Sequence, residues 1–175
     1  TIVVAAPSGV AAPDTANLLA ALVTANAAGG GIVLLREGIY QINSTLTLGA
    51  NVSIVGQGKN ATTIKATTSV GLTQFIVLSN NESGLRDLCL DFNFAGRGGN
   101  SVADIAISGL NTFLESVRTT GNNSDGGTNA TAHFVNTVPI GPDGMTCTNC
   151  EFLINGAGGN NSYFFIKNGA FHGCT

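Results

Sequence analysis

The sequence has no tryptophan, one methionine, two tyrosines and four prolines, and only 10% of its 175 residues carry a charge. With Tyr40 and Tyr163 as the only amphipathic rings, few aromatic platforms exist for sugars to stack on, and the nine phenylalanines suit a core better. The seven Lys and Arg stand singly at 36, 59, 65, 86, 97, 118 and 167. They form no basic stripe for phosphate backbones, and nucleic acid is not an expected partner. No apolar run approaches the roughly 18–20 residues that span a bilayer, and the charged and apolar regions of a signal peptide are missing, so a membrane is not expected either. The chain begins at Thr1 rather than Met, which leaves the compartment open.

Scarcity of charge does not mean disorder here, because 43% of the residues are hydrophobic and 24 are Gly. That balance fits one folded domain over residues 1–175, built of short strands and turns. A strand and turn occupy 1–12. Pro13 and Asp14 then open a helix over 13–30, with Asp14 as N-cap, Leu18, Leu19, Leu22 and Val23 as its apolar stripe and Gly29-Gly30-Gly31 as its stop. From residue 31 onward short β-rich runs alternate with Gly and Asn clusters.

These runs share an apolar-x-x-apolar-x-apolar pattern. Leu85, Leu88 and Leu90 in "LRDLCL" match Leu114, Val117 and Thr119 in "LESVRT", and then Cys147, Cys150 and Phe152 in "CTNCEF". Phe171 and Cys174 begin a further copy, and Val52 and Ile54 fit the last two positions of an earlier one. Irregular repeats of this length, with no helices between them, predict an all-β solenoid, a short parallel β-helix of about five turns. Cys147 and Cys150 thereby fall where other copies carry Leu, Val or Phe, as small buried hydrophobes. Zinc would need two more ligands at knuckle spacing, and no such pair exists, so no metal is expected. Cys150 and Cys174, in one column on neighbouring turns, are candidates for a disulfide.

The stretch "AAGGGIVLLREGIYQINSTLTLGANVSIVGQGKNATTIKA" resembles the N-terminal part of the pectin-lyase-like right-handed β-helix family, which includes phage tailspikes and polysaccharide-degrading enzymes. The match is specific over residues 13 to 66 and rests on pattern alone thereafter. It departs at Arg36-Glu37-Gly38, where the family often carries prolines. The resemblance implies that the helix caps the open N-terminal end of a right-handed solenoid. The C-terminal end, "FHGCT", stops within a copy and calls for further residues or another subunit to cover it.

Enzymes of this fold cluster carboxylates or a basic residue on one outer face, but none of the ten Asp and Glu forms an adjacent pair. The Gly-His-Gly and Arg-x-x-Arg arrangements of glycan-cleaving relatives are also missing. Asp87 with Asp91 is the best catalytic candidate, with Glu115 and Glu151 near comparable positions. The plainer reading makes these carboxylates solvated turn residues or partners of Arg86 and Arg118. His133 and His172 are possible bases without a nucleophile in a motif beside them. "AGRGGN" and "NGAGGN" lack the context of phosphate loops and read as turns, and no motif calls for a cofactor. Asn43, Asn51, Asn60, Asn81, Asn122, Asn129 and Asn160 begin N-x-S/T triplets, which would carry glycans on passage through a eukaryotic secretory pathway.

Taken together, these features predict a non-enzymatic, self-assembling structural module of a virion, of decoration, spike or fibre type. Its partners would be copies of itself, as a trimer, other structural subunits at the open end, and surface glycans. A glycosylated extracellular filament or cell-surface protein is the first alternative. The N-terminal part of a polysaccharide lyase or hydrolase is the second.

Overall fold

The computed structural model describes residues 1–67, 74–93, 103–122, 132–136, 144–154, 163–165 and 169–175, with the side chains at 103, 104, 122, 132–136, 154 and 163–165 outside that description. A short strand β1 (Ile2–Val3) precedes the helix α1 (Ala11–Ala27). The strands β2 (Gly31–Leu34), β3 (Gly38–Ile42), β4 (Leu46–Leu48), β5 (Val52–Val55), β6 (Thr62–Ala66) and β7 (Gln74–Leu78) follow. They are succeeded by β8 (Gly84–Asp91), β9 (Ala103–Ile107), β10 (Thr112–Asn122) and β11 (Ala132–Asn136). The last are β12 (Met145–Thr148), β13 (Glu151–Ile154), β14 (Tyr163–Phe165) and β15 (Ala170–His172).

Every pairing among these strands is parallel, and each strand pairs with one from the next rung rather than with its neighbour in sequence. Three stacks result. The first runs β1-β2-β5-β8-β10-β12-β15, the second β3-β6-β8-β10-β13, and the third β4-β7-β9-β11-β14. Because β8 and β10 continue from the first stack into the second, those two stacks form one ten-stranded sheet, and the third is a separate five-stranded sheet.

Alternation along each strand sends one set of side chains inward, and in-register pairing lines that set up in columns. One column holds Val33, Ile54, Leu85, Leu114 and Cys147; another holds Tyr40, Ile64, Leu90 and Thr119. All are buried, and each fully buried Leu or Ile contributes about 1.5–3 kcal/mol. The predicted columns from Leu85 to Cys147 and from Leu90 to Phe152 therefore hold. Ile54 does not sit where expected. It pairs with Leu85, the first position of the repeat, and Ile64 takes the place beside Leu90. The reason lies at the corner between the first two stacks. Strands β8 and β10 turn it on one left-handed residue, Asp87 (φ 53°) or Ser116 (φ 52°), and Asn149 (φ 54°) does the same between β12 and β13. The earlier rung instead inserts residues 56–61, which displaces the sequence frame. Gly56 begins that insertion because any side chain there would run into the Asp87 carbonyl.

The helix caps the first rung by packing on β2, β3 and β4. It begins earlier than its sequence suggested, at Ala11, with Val10 at the N-cap position and no side-chain cap bond. Pro13 lies inside the first turn, where a missing N–H costs nothing. Asp14 is thus not the cap. Its buried carboxylate accepts Ser8 N (2.7 Å), Ser8 Oγ (2.8 Å) and Gln41 N (3.0 Å). Thr15 Oγ1 accepts Asn43 N (3.0 Å), and Asn26 Oδ1 accepts Gly49 N (2.9 Å). The buried stripe is Asp14, Thr15, Leu18, Ala21, Leu22 and Ala25, while Val23 faces outward at 66% exposure.

Two substitutions test this account. Asp14→Ala leaves three donors without their acceptor and is expected to cost about 3 kcal/mol in urea unfolding, with faster hydrogen exchange at Gln41 N–H. At the Ser116 corner, Val is expected to cost roughly 1–2 kcal/mol more than Asn, because a β-branched residue strains the left-handed backbone. Equal stability of the two Ser116 variants would show that the corner does not depend on that conformation.

Candidate functional site

The outer face of the second stack gathers much of the little charge the chain has. Thr63, Cys89, Arg118 and Glu151 occupy one register line across four strands, and Lys65, Asp91 and Thr120 the next. Arg118 donates through Nε to Glu151 Oε2 (2.7 Å) and through Nη1 to Asn60 Oδ1 (2.6 Å). Lys59, from the inserted 56–61 segment, donates to the other oxygen of Glu151. Lys59 first and Arg118 second hold the Glu151 carboxyl below the usual carboxylate range. Two cations on one carboxylate leave surplus positive charge at this spot. Lys65 pairs with Asp91 (3.2 Å), and burial, with the Asp91 charge second, pushes the Cys89 thiol up.

The carboxylates singled out from sequence are not brought together. Asp87 turns the corner, while Asp91 lies four residues further along the same strand, roughly 13 Å at about 3.3 Å per residue. Glu115 lies opposite Arg86 and pairs with it (2.7 Å), whereas Glu151 lies opposite Arg118. Asp87 is level with Ser116, so Glu115 and Glu151 fall in two different lines, neither of them its own. The Arg86 guanidinium also lies over the Phe113 ring, 5.6 Å from its centroid. Tyr40 is no sugar platform: it is buried, its hydroxyl accepting Arg36 N (3.0 Å) and donating to the Ala5 carbonyl (3.1 Å).

Cys150 and Cys174 lie side by side on adjacent rungs, and all four cysteines are thiols. Asn43, Asn51, Asn60 and Asn81 are exposed, yet Asn60 accepts from Arg118, Asn81 accepts Leu110 N (3.0 Å) and Asn51 turns a corner (φ 58°). Asn122 ends β10 with its side chain undescribed; Asn129 and Asn160 lie outside the described residues. His172 lies opposite Thr148, exposed. The segments "AGRGGN" and "NGAGGN" lie outside the described residues.

The third stack supplies a juxtaposition that the sequence did not suggest. Ala103 pairs with Ala132 and Ile105 with Phe134, so Asp104 and His133 occupy the same register position on adjacent strands. The preceding strand carries the buried Phe75 at that level, and the following one places Tyr163 opposite Ala132. Asp and His are residue types suited to proton transfer, and here they share one register line. Aligning "ADIAI" with "AHFVN" would have found it, but the connections between these strands differ in length and hide the frame.

Comparison with known proteins follows the same fold. The family Rhamnogalacturonase A/epimerase, pectate lyase-like, matches residues 5–175. Mannuronan C5-epimerase AlgE3 of Azotobacter vinelandii is 37% identical over 98 residues, 47% of this chain and 5% of that protein. Among solved structures, the A-module of mannuronan C-5 epimerase AlgE6 from the same organism superposes with a TM-score of 0.53 at 19% identity, covering 91% of this chain and 51% of the module. A pectin methylesterase in complex with a hexasaccharide gives 0.52 at 16% identity, covering 98% of this chain and 66% of the enzyme. The chain thus spans about half of the AlgE6 module and a small part of AlgE3. These relatives overturn the expectation of a non-enzymatic virion module, since they are carbohydrate-active enzymes, and they lend no support to the capsid, tailspike and glycoprotein readings. The parallel stacks, the helical cap and the match over residues 5–175 together place this chain in the pectate lyase-like rhamnogalacturonase A/epimerase family of right-handed parallel β-helices.

Proposed function

We propose that this chain is the N-terminal part of an enzyme that acts on a uronate-bearing polysaccharide by removing a proton from a sugar carbon, as an epimerase or lyase does. The carrying observation is the match to a mannuronan C5-epimerase within a family alignment that runs from residue 5 to 175. A hydrogen next to a uronate carboxylate is weakly acidic, and its removal needs a positioned base and positive charge near the carboxylate. His133 takes the proton, and Asp104 stands at the same register level on the adjacent strand. The surplus charge of Lys59 and Arg118 attracts the anionic polymer towards the solenoid wall. Among the described residues, Asp91, Glu115 and Glu151 each face a cation, which favours proton abstraction over two-carboxylate hydrolysis.

The test offers polymannuronate and polygalacturonate to the intact protein in deuterated water. Deuterium at C5, or unsaturated uronate ends, is the expected product. His133→Ala is expected to lower that rate by about 10²- to 10⁴-fold with an unchanged melting temperature. Turnover confined to neutral glycans, or full activity in the His133 variant, would remove this reading.

A further inference from the structure

The C-x-x-C of residues 147–150 has no part in the proposed chemistry, yet it sits in a group of three thiols. Cys147 is buried in the first stack, Asn149 turns the corner, and Cys150 is buried just beyond it. On the next rung Phe171 pairs with Cys147. Asn149 N donates to the His172 carbonyl (2.9 Å), Thr175 N to the Cys150 carbonyl (3.0 Å) and Phe152 N to the Thr175 carbonyl (2.8 Å). This ladder puts Thr175 beside Glu151 and Cys174 beside Cys150. Parallel neighbours stand about 4.8 Å apart, inside the roughly 4.4–6.8 Å between Cα atoms that a disulfide bridges.

The thiols also differ in access and in hydrogen bonding. Cys174 is partly exposed and donates to the Cys147 carbonyl (3.4 Å), whereas Cys147 and Cys150 are buried. Cys150 donates to the Leu114 carbonyl (3.4 Å), and interaction with the neighbouring Cys147 thiol draws the Cys150 pKa down to about 7 against the opposing effect of burial; the same interaction, with burial, pushes Cys147 up. The Cys174 side chain adds a smaller part of the lowering at Cys150.

We propose that Cys174 and Cys150 are a redox-reversible pair that locks the last two described rungs together, with a small soluble disulfide such as oxidised glutathione as oxidant. Cys174, the accessible thiol, gives up its proton, and its sulfur attacks the oxidant, forming a mixed disulfide and releasing one glutathione thiolate. Cys150 then attacks the Cys174 sulfur, forming the cross-rung bond and releasing the second glutathione. Two protein thiols are oxidised, one glutathione disulfide is reduced to two thiols, and both protons pass to the leaving thiolates. Cys147 is the positioning residue, whose S–H stabilises the attacking Cys150 thiolate. This inference stands independently of the polysaccharide reading.

The experiment incubates the native protein with oxidised glutathione, alkylates the remaining thiols and digests with trypsin. Cleavage after Arg118 and Lys167 separates Cys150, in residues 119–167, from Cys174, in 168–175. The expected product is those two peptides joined, lighter by two hydrogens, with a thermal midpoint several degrees above the reduced protein. Cys150→Ser is expected to hold glutathione on Cys174, and Cys147→Ser to form the same link only at higher pH. A bond inside 119–167, a Cys174 link to Cys147 rather than Cys150 in the fragment spectrum of the joined peptides, glutathione left unresolved on wild-type Cys174, or thiols that react only after denaturation would each overturn the proposal, and that wild-type fragment spectrum decides even if a variant fails to fold.

Discussion

A parallel β-ladder has two ends, and an uncovered end presents a row of N–H and C=O groups without partners. At the start of this chain that row is closed by side chains of one helix. Asp14, Thr15 and Asn26 accept the Gln41, Asn43 and Gly49 N–H groups of the first rung, while β1 covers the first stack by direct pairing. Leu18, Leu22 and Ala25 close the apolar interior in the same plane. Polar and apolar closure come from one face of α1, so the register of every later rung builds on a terminus already satisfied.

Above that base the rungs are held by columns and corners. The corner between the first two stacks needs no loop where Asp87, Ser116 or Asn149 adopts left-handed backbone, and another corner uses Asn51, Glu82 and Asn111 in the same way. Short corners keep their strands in strict register and leave outward residues such as Arg118 and Glu151 side by side. The wall can therefore bring together charges separated by dozens of residues in sequence, and it does so without a contiguous motif.

This explains what the sequence disclosed and what it hid. The columns through Leu85, Leu114 and Cys147 were legible because β8 and β10 cross their corner on one residue, and the repeat keeps its spacing. Ile54 was misplaced by the insertion at 56–61, and the helix start by Pro13, which reads as a boundary but fits an N-terminal turn. Arg86 and Arg118 were correctly foreseen as carboxylate partners. His133 was a candidate base by residue type, but its register with Asp104 was not legible, because strand pairing across connections of unequal length sets it and no local pattern encodes it.

Solenoids are usually mechanical chains of nearest neighbours, each rung answering only to those directly above and below it. The tie from Lys59 and Asn60 to Arg118 and Glu151 breaks that rule, because it runs from the second rung to the fourth and fifth. Fraying from the C-terminal end meets a strut anchored far down the stack, and twisting the wall strains contacts rungs apart. In the language of springs, the middle of this coil is clamped at the side, so its rungs move as a block rather than as independent turns.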